Sequence, residues 1–445
     1  MASFIPRRIE GHANAKDTGT TEQHTPRKAL SNICRSLWKR KPLCLFLALL
    51  IIYTVTLKIN SSNDCTPNVY LPISMIKHGS ITLNRFPWLF QNGTPYFLYP
   101  YNGNYYSTFG VGTGLFAVPF YLPFLLFRDS ISRVPLLYLA KFVASFYVAL
   151  SAALLFSALR RLTREKWALG ITLLYALATP VFCTASQALW SHGTSLFLIS
   201  LTIYFLVRGE EQGFFTALAG LPLCLSVLVR TTNMIFIPPI LIYILWTKRS
   251  HALRFLLWLL PAAVITGLYN QAACGAFYII PCTARMRYFP AEELANISEG
   301  SGLWNTPFWE GFTGNLISPS RGLLITAPIL LTALFGLVVL VWKRKGKMSS
   351  LFPLGICCAL AFLAQLCLVA KKTAWTGGIS YGNRLLIDVL PFLFILFIPA
   401  FAFYSDMSKT ILKAVLKACF IVLIVLSLLL QVEGIVSYDS GSWSL

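Results

Sequence analysis

The chain has 445 residues, of which 56% are hydrophobic and 12% charged, and its mean hydropathy is +0.66. A soluble globular domain needs more polar surface than that. The formal net charge of +21 does not indicate nucleic acid, because the basic residues stand in short loops beside apolar runs, where they set topology and touch anionic headgroups.

Residues 1–42 read as a polar, basic cytosolic tail without the apolar core of a cleavable signal. Arg35, Lys39, Arg40 and Lys41 anchor the first apolar run. Runs near the ~20 residues needed to cross a bilayer recur along the chain. They lie at 43–59, 134–159, 167–183, 193–207, 214–229, 234–246, 255–269, 322–342, 351–370, 385–404 and 411–431. Their continuity favours helices over alternating barrel strands. A further run, 113–127, is short and contains Gly114, Pro119 and Pro123.

Charge decides how to read that run. With the basic tail inside, and 113–127 not crossing, the clusters 160–166, 248–254 and 343–347 all fall inside; if it crosses, all three fall outside. The expected fold is therefore an all-α, polytopic transmembrane helical bundle of about eleven spans. Residues 113–127 form an interfacial or re-entrant helix in a long first outer loop. The domain reading is a tail at 1–42, a membrane domain at 43–431 with outer loops 60–133, 271–321 and 371–384, and a short outer tail at 432–445. Extended polar segments concentrate outside, and so should the chemistry.

Asp64 is the only acidic residue in the first half of the first outer loop. A lone carboxylate at a membrane surface suits a catalytic base acting on a lipid-borne substrate; the alternative is a helix cap or turn residue. The aromatic residues after it, from Phe86 to Phe109, pack as an interfacial layer, and some can stack on a sugar. Asn92-Gly93-Thr94 and Asn102-Gly103-Asn104 read as turns, with a small hairpin between strands. The sequons at Asn60, Asn92 and Asn296 matter only in a eukaryotic secretory pathway.

His192, at the outer end of a run, can contact a phosphate, move a proton, or simply close a helix end. Arg230 stands in a tight outer turn and needs an anionic partner, either a headgroup or a substrate phosphate. Arg321 and Arg384 sit at similar depth. Gly377, Gly378 and Gly382 let backbone approach a ligand beside Arg384, and Tyr381 adds a hydroxyl. Separate cations facing one carboxylate suit a phosphate leaving group and a hydroxyl acceptor. The cysteines show no metal spacing. Cys274 and Cys282 share a predicted outer loop, either as a disulfide or as free thiols.

These motifs carry a resemblance. Asp64-x-x-Pro67, Leu71-Pro72, His78-Gly79, Tyr106-Ser107-Thr108-Phe109-Gly110, Pro119-Phe120-Tyr121, Trp190-Ser191-His192, Ser318-Pro319-Ser320-Arg321-Gly322 and Trp375-x-Gly377-Gly378-x-x-Tyr381-Gly382-x-Arg384 resemble, in order, blocks of bacterial relatives of the dolichyl-phosphate-mannose protein O-mannosyltransferases. Those belong to the GT-C group of membrane glycosyltransferases. The resemblance implies transfer of a sugar, with inversion, from a polyprenyl-phosphate donor to a lipid, glycan or protein acceptor. Transfer would occur on the outer, periplasmic face of a cell (inner) membrane. Asp64 would act on the acceptor hydroxyl, and His192, Arg230, Arg321, Tyr381 and Arg384 would bind substrate. No cofactor is implied. Asn63 stands where many relatives carry a second acid, which weakens a metal role without excluding a divalent ion. The expected partners are the donor, membrane lipids and an acceptor, and not nucleic acid. The rival readings are a transporter or flippase for an anionic lipid or sugar phosphate, using the same arginines, and a noncatalytic membrane scaffold.

Overall fold

The computed structural model describes residues 40–56, 62–91, 93–128, 131–278, 304–346, 348–378 and 380–437. The Cys274–Cys282 expectation, the Asn60, Asn92 and Asn296 sequons, the tail 1–39 and the end 438–445 involve residues outside that set.

The first apolar run forms α1, Lys41–Val55, with Pro42 in its first turn, where no amide donor is needed. The chain next turns at Asn63–Cys65 and enters α2, Thr66–His78. Pro67 opens this helix and Gly79 closes it in a left-handed conformation, its amide donating to the Met75 carbonyl. A two-stranded hairpin comes after it, β1 Leu98–Tyr101 against β2 Asn104–Ser107, with Tyr99 opposite Tyr106. Its connection is Asn102-Gly103, both at positive φ, as a tight two-residue hairpin turn demands. The predicted turn at Asn102-Gly103 is thus observed.

The disputed run forms α3, Gly112–Leu126, with Pro119 and Pro123 inside it. It packs on α2 and, through Phe116 and Phe120, on Phe146 and Tyr147 of the next helix. That helix is α4, Arg133–Leu162. The remaining elements are α5 Glu165–Leu177, α6 Ser191–Arg208, α7 Gly213–Leu218, α8 Gly220–Val229, α9 Ile237–Thr247 and α10 Ala252–Cys274. After them come α11 Phe308–Ile317, α12 Leu323–Thr326, α13 Leu331–Trp342, α14 Phe352–Ala370, α15 Leu390–Ile395, α16 Phe397–Asp406 and α17 Ile411–Val436.

The architecture is helical, and the chain has the character of a membrane protein. Five helical stretches are long and apolar enough to cross a bilayer: Arg133–Leu162, Arg249–Cys274, Phe352–Ala370, Arg384–Asp406 and Ile411–Val436. Shorter apolar helices accompany them, among them Lys41–Val55 and Gly112–Leu126. Within Arg384–Asp406, 94% of the residues of an apolar 18-residue segment are buried, against 11% within Ile411–Val436. The former is therefore a central pillar and the latter a peripheral helix with an apolar surface facing outward.

Charged groups mark the two ends of the bundle. At one end Lys41 pairs with Glu165, Arg161 with Glu211, and Lys248 with Glu210 at 3.6 Å. Trp167 packs on Phe401 there, and the Lys343 ammonium lies 4.9 Å from the Phe403 ring. The starts and ends that carry the basic clusters thus share one end. Asp64, Ser191, Arg230 and Arg384 gather at the opposite end.

Candidate functional site

The site is assembled at the turns of that second end. Ser62 accepts from the Asp64 amide at 3.2 Å and so fixes the short turn that presents Asp64. The next residue, Cys65, packs on Ala188 and Trp190. Asn68 donates to the Leu189 carbonyl at 3.0 Å. These contacts lock the start of α2 against the turn before α6. That turn comes after one wide helical turn, in which the Ser186 amide reaches the Val181 carbonyl at 3.1 Å; such turns concentrate at functional sites.

Asp64 has both carboxylate oxygens engaged. Oδ2 lies 2.5 Å from Arg384 Nη2, and Oδ1 accepts from the Tyr96 hydroxyl at 2.5 Å. Burial, then the hydrogen bond to Asp64, push the Tyr96 phenol above its ordinary pKa, so it remains a donor. Asp64 is not the cap of α1, which ends at Val55. It does stand in a turn, and that turn delivers it to an arginine more than three hundred residues away in sequence.

The backbone before Arg384 explains how the guanidinium reaches Asp64. Gly377 and Gly378 adopt φ of +77° and +69°. A Cβ on Gly377 would stand 3.2 Å from Arg384 Cγ, so the loop closes tightly over the arginine side chain and a side chain there would have to displace it. The Arg384 guanidinium then lies over the Trp190 ring, 4.6 Å from its centroid. Its Nε is buried with no hydrogen-bond partner among the described residues.

Beneath this rim pair lies a second, deeper one. Asp388 is fully buried, and its Oδ2 is 2.8 Å from Arg230 Nε and 3.2 Å from His192 Nδ1. Arg230 Nη1 also reaches Ser191 Oγ at 3.1 Å and His192 Nε2 at 3.3 Å. An arginine can only donate, so His192 Nε2 accepts and Nδ1 carries the proton given to Asp388. Both ring nitrogens of His192 are therefore occupied. The ring holds Arg230 in place, and the proton-moving role considered from sequence has no open nitrogen to act through. Arg230 Nε, although within 2.8 Å of Asp388 Oδ2, makes no hydrogen bond among the described residues.

Two further expected residues, Arg321 and Tyr381, bind around the glycine loop. Arg321 donates to the Ser380 carbonyl, inside the glycine loop. The Tyr381 hydroxyl donates to the Leu430 carbonyl on α17 at 2.6 Å, and the residue is 3% exposed. Both contacts fasten the loop that carries Arg384. Sequence reasoning missed Tyr96 and gave Asp388 no role. An acidic residue inside an apolar run was the available signal for Asp388; nothing local marked Tyr96 among its aromatic neighbours.

Among the described residues no group of three or more His, Cys, Asp or Glu side chains is gathered to hold a metal ion. The site instead offers one carboxylate at its rim and open guanidinium donors around it, a set suited to an anion and a hydroxyl. No protein-family model matches the chain, and no curated protein matches it. The likeness to a known family therefore rests on the motifs alone.

Proposed function

We propose that this chain is a GT-C-like membrane glycosyltransferase that moves a sugar from a polyprenyl-phosphate donor to a hydroxyl acceptor at the outer face. The observation that carries this reading is the meeting of Asp64 with Arg384 at one end of the bundle, with Arg230 close beneath and guanidinium donors left open. In the reaction the acceptor oxygen bonds to the anomeric carbon as the bond to the phosphate oxygen breaks. The acceptor proton passes to Asp64, and the phosphate leaves with the electron pair. Arg384 and Arg230 stabilise the charge that develops on the leaving phosphate. Asp388 neutralises Arg230 and fixes its direction, so no reorganisation is needed as that charge appears.

The sidedness and the count of crossings belong to the same proposal. The clustered basic turns at the end away from Asp64 support an inner placement for that end. The same charge argument supports about eleven crossings with α3 at the interface. The buried Asp388 and His192 with Arg230, and the buried Lys141 of α4, favour a transporter, since ionisable groups inside a bundle often mark a transport path.

A donor titration tests the proposal. Arg384→Lys keeps the charge and loses the two-pronged geometry, so it should raise the donor KM at least about tenfold. Lys371→Ala removes an ammonium that donates to the Thr306 carbonyl at 3.1 Å and should leave donor use unchanged. Wild-type behaviour for Arg384→Lys together with impairment for Lys371→Ala would move the phosphate away from Arg384.

A further inference from the structure

We infer that Arg384 is shared: in the empty site it holds Asp64, and on donor binding it exchanges that carboxylate for the donor phosphate, while Tyr96 keeps the released Asp64 aimed. This rests on the glycosyl-transfer reading and specifies how that site is switched on.

The argument starts from a conflict of geometry. In an inverting displacement the attacking and leaving oxygens stand on opposite sides of the anomeric carbon. In inverting glycosidases, room for the nucleophile between the groups sets the paired carboxyls roughly 6.5–9.5 Å apart. Here the base and the phosphate-binding arginine touch, with Asp64 Oδ2 2.5 Å from Arg384 Nη2. A sugar ring cannot lie between them until that pair opens.

The two carboxylates of the site differ in a way that fits the exchange. Asp388 is fully buried and holds Arg230, whereas Asp64 is 16% exposed; the two arginine side chains are equally exposed, at 15%. Opening the Asp388 pair would leave a buried carboxylate without its compensating charge, whereas Asp64 stands where an incoming substrate reaches it. Opening the rim pair strands neither group. Arg384 keeps the Trp190 ring beneath it and gains a phosphate, which also supplies an acceptor for its unpartnered Nε. Asp64 keeps the Tyr96 hydroxyl on Oδ1 and frees Oδ2 for the acceptor. The base is thus engaged by arginine until donor is present, which protects against acceptor activation without a sugar to receive it.

Competition between Asp64 and phosphate for one guanidinium has a measurable consequence: a variant that loses the base should bind the phosphate carrier better. The probe is farnesyl phosphate, titrated calorimetrically into purified, detergent-solubilised protein whose melting temperature is recorded for each variant. Asp64→Ala and Asp64→Asn should bind it on the order of tenfold more tightly than wild type, the alanine variant more so, because an asparagine carbonyl can still accept from Arg384. Arg384→Ala should bind it at least tenfold more weakly. Inorganic phosphate should bind more weakly than farnesyl phosphate; equal binding would place a free phosphate, and not a lipid carrier, in the site. Tyr96→Phe should lower kcat about tenfold with the donor KM within about twofold of wild type, as expected of a group that positions the base. A loss carried by KM would overturn its positioning role. If Arg384→Ala weakens binding while both Asp64 variants bind no better than wild type, the exchange is wrong and the donor site stands. If neither wild type nor Asp64→Ala binds farnesyl phosphate, the donor site itself falls, and the exchange with it.

Discussion

Asp64 was legible from sequence because it is alone: no other acid occupies its half of the first outer loop. Its partner was half legible, since Arg384 could be named but not its direct contact with Asp64, which depends on packing between distant turns. Asp388 shows the limit more clearly. An acid in an apolar run signals a partner, yet His192 and Arg230 lie far from it in sequence and are brought to it by α6 and the turn after α8. Asp388→Asn leaves Arg230 buried without its counter-charge and should cost about 3–5 kcal/mol of stability, read as a lower melting temperature and faster proteolysis. A variant as stable as wild type would mean that Arg230 draws its compensation from another anion. His192→Gln retains a donor and an acceptor on one side chain, so it should keep most of the transfer activity. A loss on the order of a hundredfold in a folded His192→Gln protein would restore a proton-moving role.

The helices were legible as elements, because apolar length is a strong signal, but their ends were not. The run expected at 214–229 divides into α7 and α8 at Ala219 and Gly220, and the run at 385–404 contains three successive short helical pieces within Arg384–Asp406. Such interruptions depend on neighbours: a Cβ on Gly220 would meet the Phe255 carbonyl of α10 at 2.4 Å, a contact that no local pattern encodes. The glycine loop was legible as an irregular, close-approach segment, and its purpose was not. Its glycines make room for the Arg384 side chain, while Arg321 and Tyr381 hold the loop from outside. Gly377→Ala must place a Cβ at φ +77° and 3.2 Å from Arg384 Cγ. The backbone strain alone is about 1–2 kcal/mol, and the arginine has to shift. The expected result is a raised donor KM with the protein still folded. Unchanged donor use in Gly377→Ala would show that the loop does not set the position of Arg384.

At the scale of the whole molecule the membrane character was legible from composition, and the grouping of basic turns at one end of the bundle matches the reasoning that placed them on one side. Which end faces outward is open to direct measurement. In a variant with its native cysteines replaced, an impermeant thiol reagent applied to intact cells should label Asn305→Cys and spare Lys345→Cys; the opposite pattern would invert the orientation. The central claim is bond breakage, not movement of an intact lipid. Proteoliposomes carrying the protein and a polyprenyl-phosphate-sugar labelled in the sugar separate the two. Wild type should detach the label from the lipid, and Asp64→Asn should do so on the order of a hundredfold more slowly while inserting and melting normally. Label that stays on the lipid and only changes leaflet, at equal rates in both proteins, would contradict glycosyl transfer and make the chain a transporter.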